Sequence, residues 1–93
     1  MKISIIVPCF NEEKTIKVLV EKILKFNLYE KEIIIVDDCS TDNSKEIIKS
    51  LALENPIIRN FFSEKNLGKG SALKKGIAEA KGEIILIQDA DLE

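Results

Sequence analysis

Four runs of aliphatic residues punctuate the chain, and the segments between them carry apolar positions at a different period. Ile3 to Val7, Glu32 to Val36, Ile57 to Phe62 and Ile84 to Ile87 are short and rich in β-branched residues, which predicts four strands. Pro8 is expected to end the first, because proline has no N–H for a ladder. After it, Ile16, Leu19, Val20, Ile23 and Leu24 recur at i, i+3, i+4, i+7 and i+8, the stripe of an amphipathic helix reaching about Phe26. Asn11 followed by Glu12 and Glu13 reads as its N-cap and acidic first turn. Ile47, Ile48 and Leu51 mark a second helix, with a capping box from Asn43 to Glu46 and a stop at Asn55-Pro56. Ala72, Leu73, Ile77 and Ala80 mark a third, with Gly82 expected in the left-handed position that follows a helix.

The resulting order, β-α-β-α-β-α-β with short connections, predicts one α/β domain over residues 1–93: a parallel sheet in a three-layer α/β/α arrangement. The third run is interrupted by Arg59 and Asn60 and belongs at an edge. The fourth, four aliphatics behind Gly82 and Glu83, reads as buried on both faces and belongs beside the first. Right-handed crossovers then give strand order 3-2-1-4, with a topological switch point between strands one and four.

That order gathers polar residues from three segments at one edge: Pro8 to Glu12, Asp37 to Asp42, and Asp89 to Asp91. Asp89 and Asp91 lie two apart, so in extended chain their carboxylates point the same way about 6.5–7 Å apart and reach one cation. Oxygen ligands so placed suit Mg²⁺ or Mn²⁺ holding a diphosphate. With no histidine or basic residue expected at the strand tips, the acids would repel one another unless a cation sat among them. Lys65, Lys69, Gly68 and Gly70 could approach phosphates. Gly68-Lys69-Gly70-Ser71 lacks the spacing of a Walker A loop, however, and Leu73 breaks a dinucleotide fingerprint. The simpler reading is a loop that lets a helix start close to a sheet.

Composition narrows the partners. With 14 basic and 16 acidic residues, a net charge of −2 leaves no strongly basic face for nucleic acid. Apolar runs are far shorter than the ~18 residues of a membrane span, and Met1-Lys2-Ile3-Ser4 is unlike a signal peptide, so a cytoplasmic location is expected. Two cysteines without any histidine offer little for zinc, and Cys9 and Cys39 are expected to be free thiols.

Four stretches in order carry a family resemblance: Val7-Pro8-Cys9-Phe10-Asn11-Glu12-Glu13, Glu32 to Asp42, Asn66-Leu67-Gly68-Lys69-Gly70, and Gln88-Asp89-Ala90-Asp91-Leu92-Glu93. Together they resemble the successive motifs of inverting family 2 glycosyltransferases, most closely the polyprenol-phosphate (dolichol-phosphate) mannosyl- and glucosyltransferases. The resemblance implies a GT-A fold with a Rossmann-like half, a UDP- or GDP-sugar donor, a divalent cation, and polyprenol phosphate or another acceptor. Carried over by motif, Pro8, Phe10 and Glu12 would line the nucleotide, Phe10 standing where tyrosine is usual. Val36 and one or both of Asp37 and Asp38 would hold base and ribose, with Asp38 favoured for direct contact. Asp89 and Asp91 would bind the metal, Ala90 would lie beside the nucleotide, and Glu93, where glutamine also occurs, would be a further ligand.

Family members continue into an acceptor-binding half that carries the catalytic base, so no catalytic residue is assigned in this chain. It is expected to be the nucleotide-binding half, cut at the Asp-x-Asp motif, binding donor without turnover and exposing its fourth strand to self-association. Two rivals remain. One is a non-catalytic fragment or interaction module. The other is a phosphoacceptor receiver domain, suggested by Asp37-Asp38 but disfavoured because that pair follows the second strand instead of the first.

Overall fold

The computed structural model describes residues 1–26 and 29–91. Seven elements alternate along it: β1 (Lys2–Cys9), α1 (Ile16–Lys25), β2 (Glu30–Asp37), α2 (Ser44–Glu54), β3 (Ile58–Phe62), α3 (Lys69–Glu79) and β4 (Ile84–Ile87). The strands form one sheet in the order β3-β2-β1-β4, and every pairing is parallel. Ile5 sits opposite both Ile33 of β2 and Leu86 of β4.

Alternation along the two central strands builds a core on each face. Val7, Cys9, Ile33 and Ile35 face α1 and α2, joining Ile16, Leu19, Val20, Ile48 and Leu51. Ile34 and Val36 face α3 with Ala72. The α3 layer lies very close to the sheet: a Cβ at Gly76 would come within 2.5 Å of the Ile6 side chain. Glycine there costs helix propensity of about 1 kcal/mol and allows the approach.

Several sequence expectations change in detail. Pro8 does not end β1, which runs on to Cys9 opposite Asp37. The carbonyls of Lys2 and Ile6 accept from Glu83 and Gln88 on the β4 side, so Pro8, two residues further, turns its missing N–H past the end of β4. No ladder bond is lost. Asn11 is not a helix cap: α1 starts at Ile16 after a turn closed by the Thr15 and Ile16 N–H groups on the Glu12 carbonyl. Asn43 does cap α2 by position, but makes no side-chain cap bond. Asp42 instead accepts from the Ser44 N–H at 2.8 Å.

Gly82 is not left-handed; Gly68 is the glycine with positive φ, at 95°. A Cβ on Gly82 would lie 2.7–2.8 Å from Ser4 and the Lys2 carbonyl, so the residue serves a close approach to β1. Conversely, a Cβ at Gly68 or Gly70 would meet nothing within 4 Å, and the glycines of that loop do not serve close helix–sheet contact. The reading of β4 as buried on both faces also fails. Among the described residues it pairs only with β1, and Ile84, Ile85, Leu86 and Ile87 are 39–51% exposed. No helix among the described residues is long and apolar enough to cross a membrane.

Candidate functional site at the strand tips

The loops after β1 and β2 are fastened to each other residue by residue. The backbone N–H groups of Asn11, Glu12 and Glu13 donate to Ser40 Oγ, Ser44 Oγ and Asp42 Oδ2 at 2.9, 3.0 and 3.2 Å. In return Asn11 Oδ1 accepts from the Thr41 N–H at 2.7 Å and the Asp42 N–H at 3.3 Å. Asn11 reaches this with φ 52°, a left-handed conformation asparagine tolerates. Ser40 is the hub: its hydroxyl donates to Asp37 Oδ1 at 2.5 Å while its own N–H donates to Asp37 Oδ2 at 2.9 Å. Burial works to raise the Asp42 carboxyl, but bonds from the Ser44 hydroxyl and from the Ser44 and Glu13 N–H groups outweigh it and hold its pKa below the usual range.

Beside these loops opens a cleft of about 380 Å³ lined by Pro8, Cys9, Phe10, Glu12, Asp38, Asn66, Gly68, Lys69, Ala72, Asp89, Ala90 and Asp91. All three segments expected at the tips contribute to it. Of the candidate nucleotide residues, Pro8, Phe10, Glu12, Asp38, Asp89 and Ala90 are brought together. Val36 and Asp37 are not: Val36 is interior to the α3 layer, and Asp37 is buried with both carboxylate oxygens on Ser40. Of the candidate metal ligands, Asp89 and Asp91 line the cleft and Glu93 lies outside the described residues.

Several contacts fix the wall of the cleft. Asp38 accepts from the Leu67 and Gly68 N–H groups at 2.8 and 2.9 Å, which fixes the loop entering α3. Its own N–H donates to the Cys9 carbonyl, so β1 and β2 stay registered up to the cleft. Thr15 donates its hydroxyl to the Ala90 carbonyl at 2.5 Å, tying the turn before α1 to the Asp89-Ala90-Asp91 segment. Cys9 is buried, and burial together with the nearby Asp37 charge pushes its thiol up to about 12. It stays protonated and is no nucleophile.

The expectation that basic neighbours are missing is overturned. Lys69 Nζ lies 2.5 Å from Asp89 Oδ1 across the cleft. Repulsion among bare carboxylates therefore no longer argues for a cation by itself, since Asp38 has its N–H donors and Asp89 its lysine. Among the described residues no three acidic, cysteine or histidine groups are gathered as a self-sufficient metal cage. What the donor set does fit is a hard divalent ion sharing its coordination with a ligand: two carboxylates from the chain, phosphate oxygens and water for the rest. The Lys69 pairing and the Thr15 tie escaped the sequence reading because each joins segments far apart in the chain. Lys69 alone left a signal, as a basic residue in a glycine-bearing loop.

Comparison with known proteins bears on this cleft. The sequence model described as glycosyl transferase family 2 matches residues 4–93. A prophage bactoprenol glucosyl transferase homolog of Escherichia coli is 38% identical over 96 aligned positions, covering all of this chain and 31% of that protein. The chain thus spans about a third of the length of this curated relative. Among solved structures, S. aureus TarS 1–349 in complex with UDP superposes with a TM-score of 0.89 at 34% identity, over 98% of this chain and 28% of that one. The mannosyltransferase PcManGT from Pyrobaculum calidifontis, in complex with GDP-Man and Mn²⁺, gives 0.88 at 29% identity over 96% of this chain and 27% of its own.

Proposed function

Because the chain belongs to glycosyl transferase family 2, we propose that residues 1–93 form the donor-binding part of a hexosyltransferase that takes sugar from a UDP- or GDP-sugar. The observation that carries this reading is the cleft itself, in which Glu12, Asp38, Asp89 and Asp91 from three segments share one opening with Phe10 and the Gly68-Lys69 turn. Neighbours of the same fold were solved with UDP and with GDP-Man and Mn²⁺, which favours a nucleoside diphosphate as the occupant.

In this reading Phe10 and Pro8 pack on the nucleoside, Glu12 and Asp38 border its polar edges, and Ala90, held through its carbonyl by Thr15, leaves room beside it. Val36 and Asp37 act from beneath, by packing and by fixing the Ser40 hub, and not by touching the nucleotide. Asp89 and Asp91 supply carboxylate oxygens to Mg²⁺ or Mn²⁺. That cation would act as a Lewis acid, neutralising charge on the departing nucleoside diphosphate. The acceptor is polyprenol phosphate by analogy with the bactoprenol relative. Residues 1–93 alone bind donor without transferring sugar, because this reading commits the described cleft carboxylates Glu12, Asp38, Asp89 and Asp91 to the donor and its cation.

Thermal unfolding against UDP, GDP, CDP and ADP, each with Mn²⁺ and with EDTA, tests the reading. Ligand at a hundred times its dissociation constant adds about 2.7 kcal/mol, a midpoint rise of roughly ten degrees or more for so small a domain. One nucleotide raising the midpoint only with Mn²⁺ is the expected result. A folded chain that no nucleotide stabilises would sink it.

A further inference from the structure

The balance of charge in the cleft is uneven. Among the described residues lining it, Glu12, Asp38, Asp89 and Asp91 carry carboxylates, and Lys69 alone carries a fixed positive charge. A nucleoside diphosphate brings further negative charge into the same opening. Lys69 is placed where both partners meet: its ammonium touches Asp89, and its backbone opens α3 at the turn that borders the cleft.

The backbone beneath Lys69 is held and its side chain is not. Asp38 clamps the two preceding N–H groups, and Gly68 makes the turn with φ 95°. A Cβ at Gly68 or Gly70, on either side of Lys69, would meet nothing within 4 Å. The Lys69 and Asp89 side chains are 58% and 40% exposed. An ion pair that accessible alters an equilibrium by no more than about fivefold, so a divalent cation can displace it. Lysine's flexible stem then lets the ammonium turn to another anion without moving the helix.

We propose that Lys69 is an exchangeable countercharge: it pairs with Asp89 while that carboxylate holds no cation, yields it to the divalent ion, and then serves the phosphate oxygens of the donor. The inference rests on the donor-binding reading and adds a residue that positions charge for it. Two opposite effects follow from one substitution. Removing the ammonium frees Asp89 for metal and removes a repulsive neighbour from the metal position. It also takes away the chain's own attraction for phosphate.

The test titrates Mn²⁺ alone into the wild-type chain, Lys69→Met and Lys69→Arg by calorimetry, followed by UDP and GDP at saturating Mn²⁺. Lys69→Met should bind Mn²⁺ about three- to fivefold tighter than wild type and bind the nucleoside diphosphate about three- to fivefold weaker. Lys69→Arg, which keeps the charge, should stay within about twofold of wild type in both. Unliganded thermal midpoints equal to wild type would verify that the variants fold. Wild type binding Mn²⁺ with Lys69→Met binding it equally or more weakly overturns the inference and leaves donor binding standing. Wild type binding neither Mn²⁺ nor nucleotide overturns both.

Discussion

Glu32 lies in β2 and Asp38 directly follows that strand, six residues on, and each holds one end of α3. Asp38 accepts the N–H groups of Leu67 and Gly68 just before the helix starts. Glu32 accepts the Lys81 N–H just after it ends, at 2.6 Å, and also the Ser4 hydroxyl and Arg59. Arg59 continues the network to the Glu79 carbonyl at 2.7 Å and the Glu79 carboxylate at 3.0 Å, satisfying the helix's last turn. The two ends differ in what surrounds the carboxylate. Glu32 is 3% exposed and closed in by donors. Asp38 forms part of the wall of an open cleft beside Asp89, Asp91 and Lys69. One end of the sheet uses its acid to close a seam, and the other uses it to hold a loop at the edge of a binding space. If that contrast is right, substitutions at the closed end should change stability, and those at the open end should change binding.

The largest stability effect is expected from Glu32→Ala. It leaves Arg59 with the Glu79 carboxylate alone and takes away the acceptor of the Lys81 N–H and the Ser4 hydroxyl, which should cost about 3 kcal/mol in urea unfolding. Nucleotide affinity per folded molecule should not change. A loss below about 1 kcal/mol would remove the distinction between the two ends.

Acid unfolding sharpens the same point. Burial tends to raise the Glu32 carboxyl, but bonds from Ser4, Lys81 and Arg59 and the Lys2 charge outweigh it and hold its pKa below the usual range. A depressed folded value means that Glu32 contributes stability above the ordinary carboxylate pKa of about 4, lost as pH falls through the folded value. Asp42 acts in the same direction. The urea midpoint should therefore be flat from neutrality down to about pH 5 and fall below it. Glu32→Gln should start lower at pH 7 and lose less on acidification. Equal slopes for the two proteins would rule out Glu32 as a source.

Asp38→Asn is intermediate. The amide can keep one backbone donor but sets an NH₂ against the other, which should cost about 1–3 kcal/mol. Because the freed turn carries Lys69, nucleotide affinity should fall as well, unlike in Glu32→Ala. An Asp38→Asn chain that loses stability but binds nucleotide as wild type would show that the turn does not matter to the cleft.

The contrast also explains what the sequence revealed. Period alone placed the seven elements and, with crossover handedness, the order 3-2-1-4, because runs such as Ile33-Ile34-Ile35 are dictated by burial on both sides. That rule misled at β4, where the same composition stands at an edge. The Asp89-Ala90-Asp91 cleft was legible because the strand order gathers three polar segments at one edge; the two acids by themselves read equally as a polar turn. The closed seam was not: Ser4, Glu32, Arg59 and Lys81 are spread over 78 residues and look like ordinary polar positions until the sheet aligns them. Caps failed for a related reason. Asn11 and Asn43 have the right identity, but Asp42 accepts the Glu13 N–H from across the two loops and the Ser44 N–H from within its own, so the preference for asparagine yields to other partners.

The smallest stability change and the clearest binding change should coincide at Asp89. Its pairing with Lys69 is exposed at both ends, so Asp89→Asn should move the unfolding free energy by no more than about 0.5–1 kcal/mol. The same substitution replaces a charged oxygen ligand by an amide that hard divalent ions bind weakly, and the Mn²⁺-dependent stabilisation by nucleotide should vanish. A metal-dependent shift that survives in Asp89→Asn would move the cation to Asp91 and its neighbours. Asp89 would then be a partner for Lys69 alone, and the open end would share with the closed end a carboxylate whose work is to hold the chain.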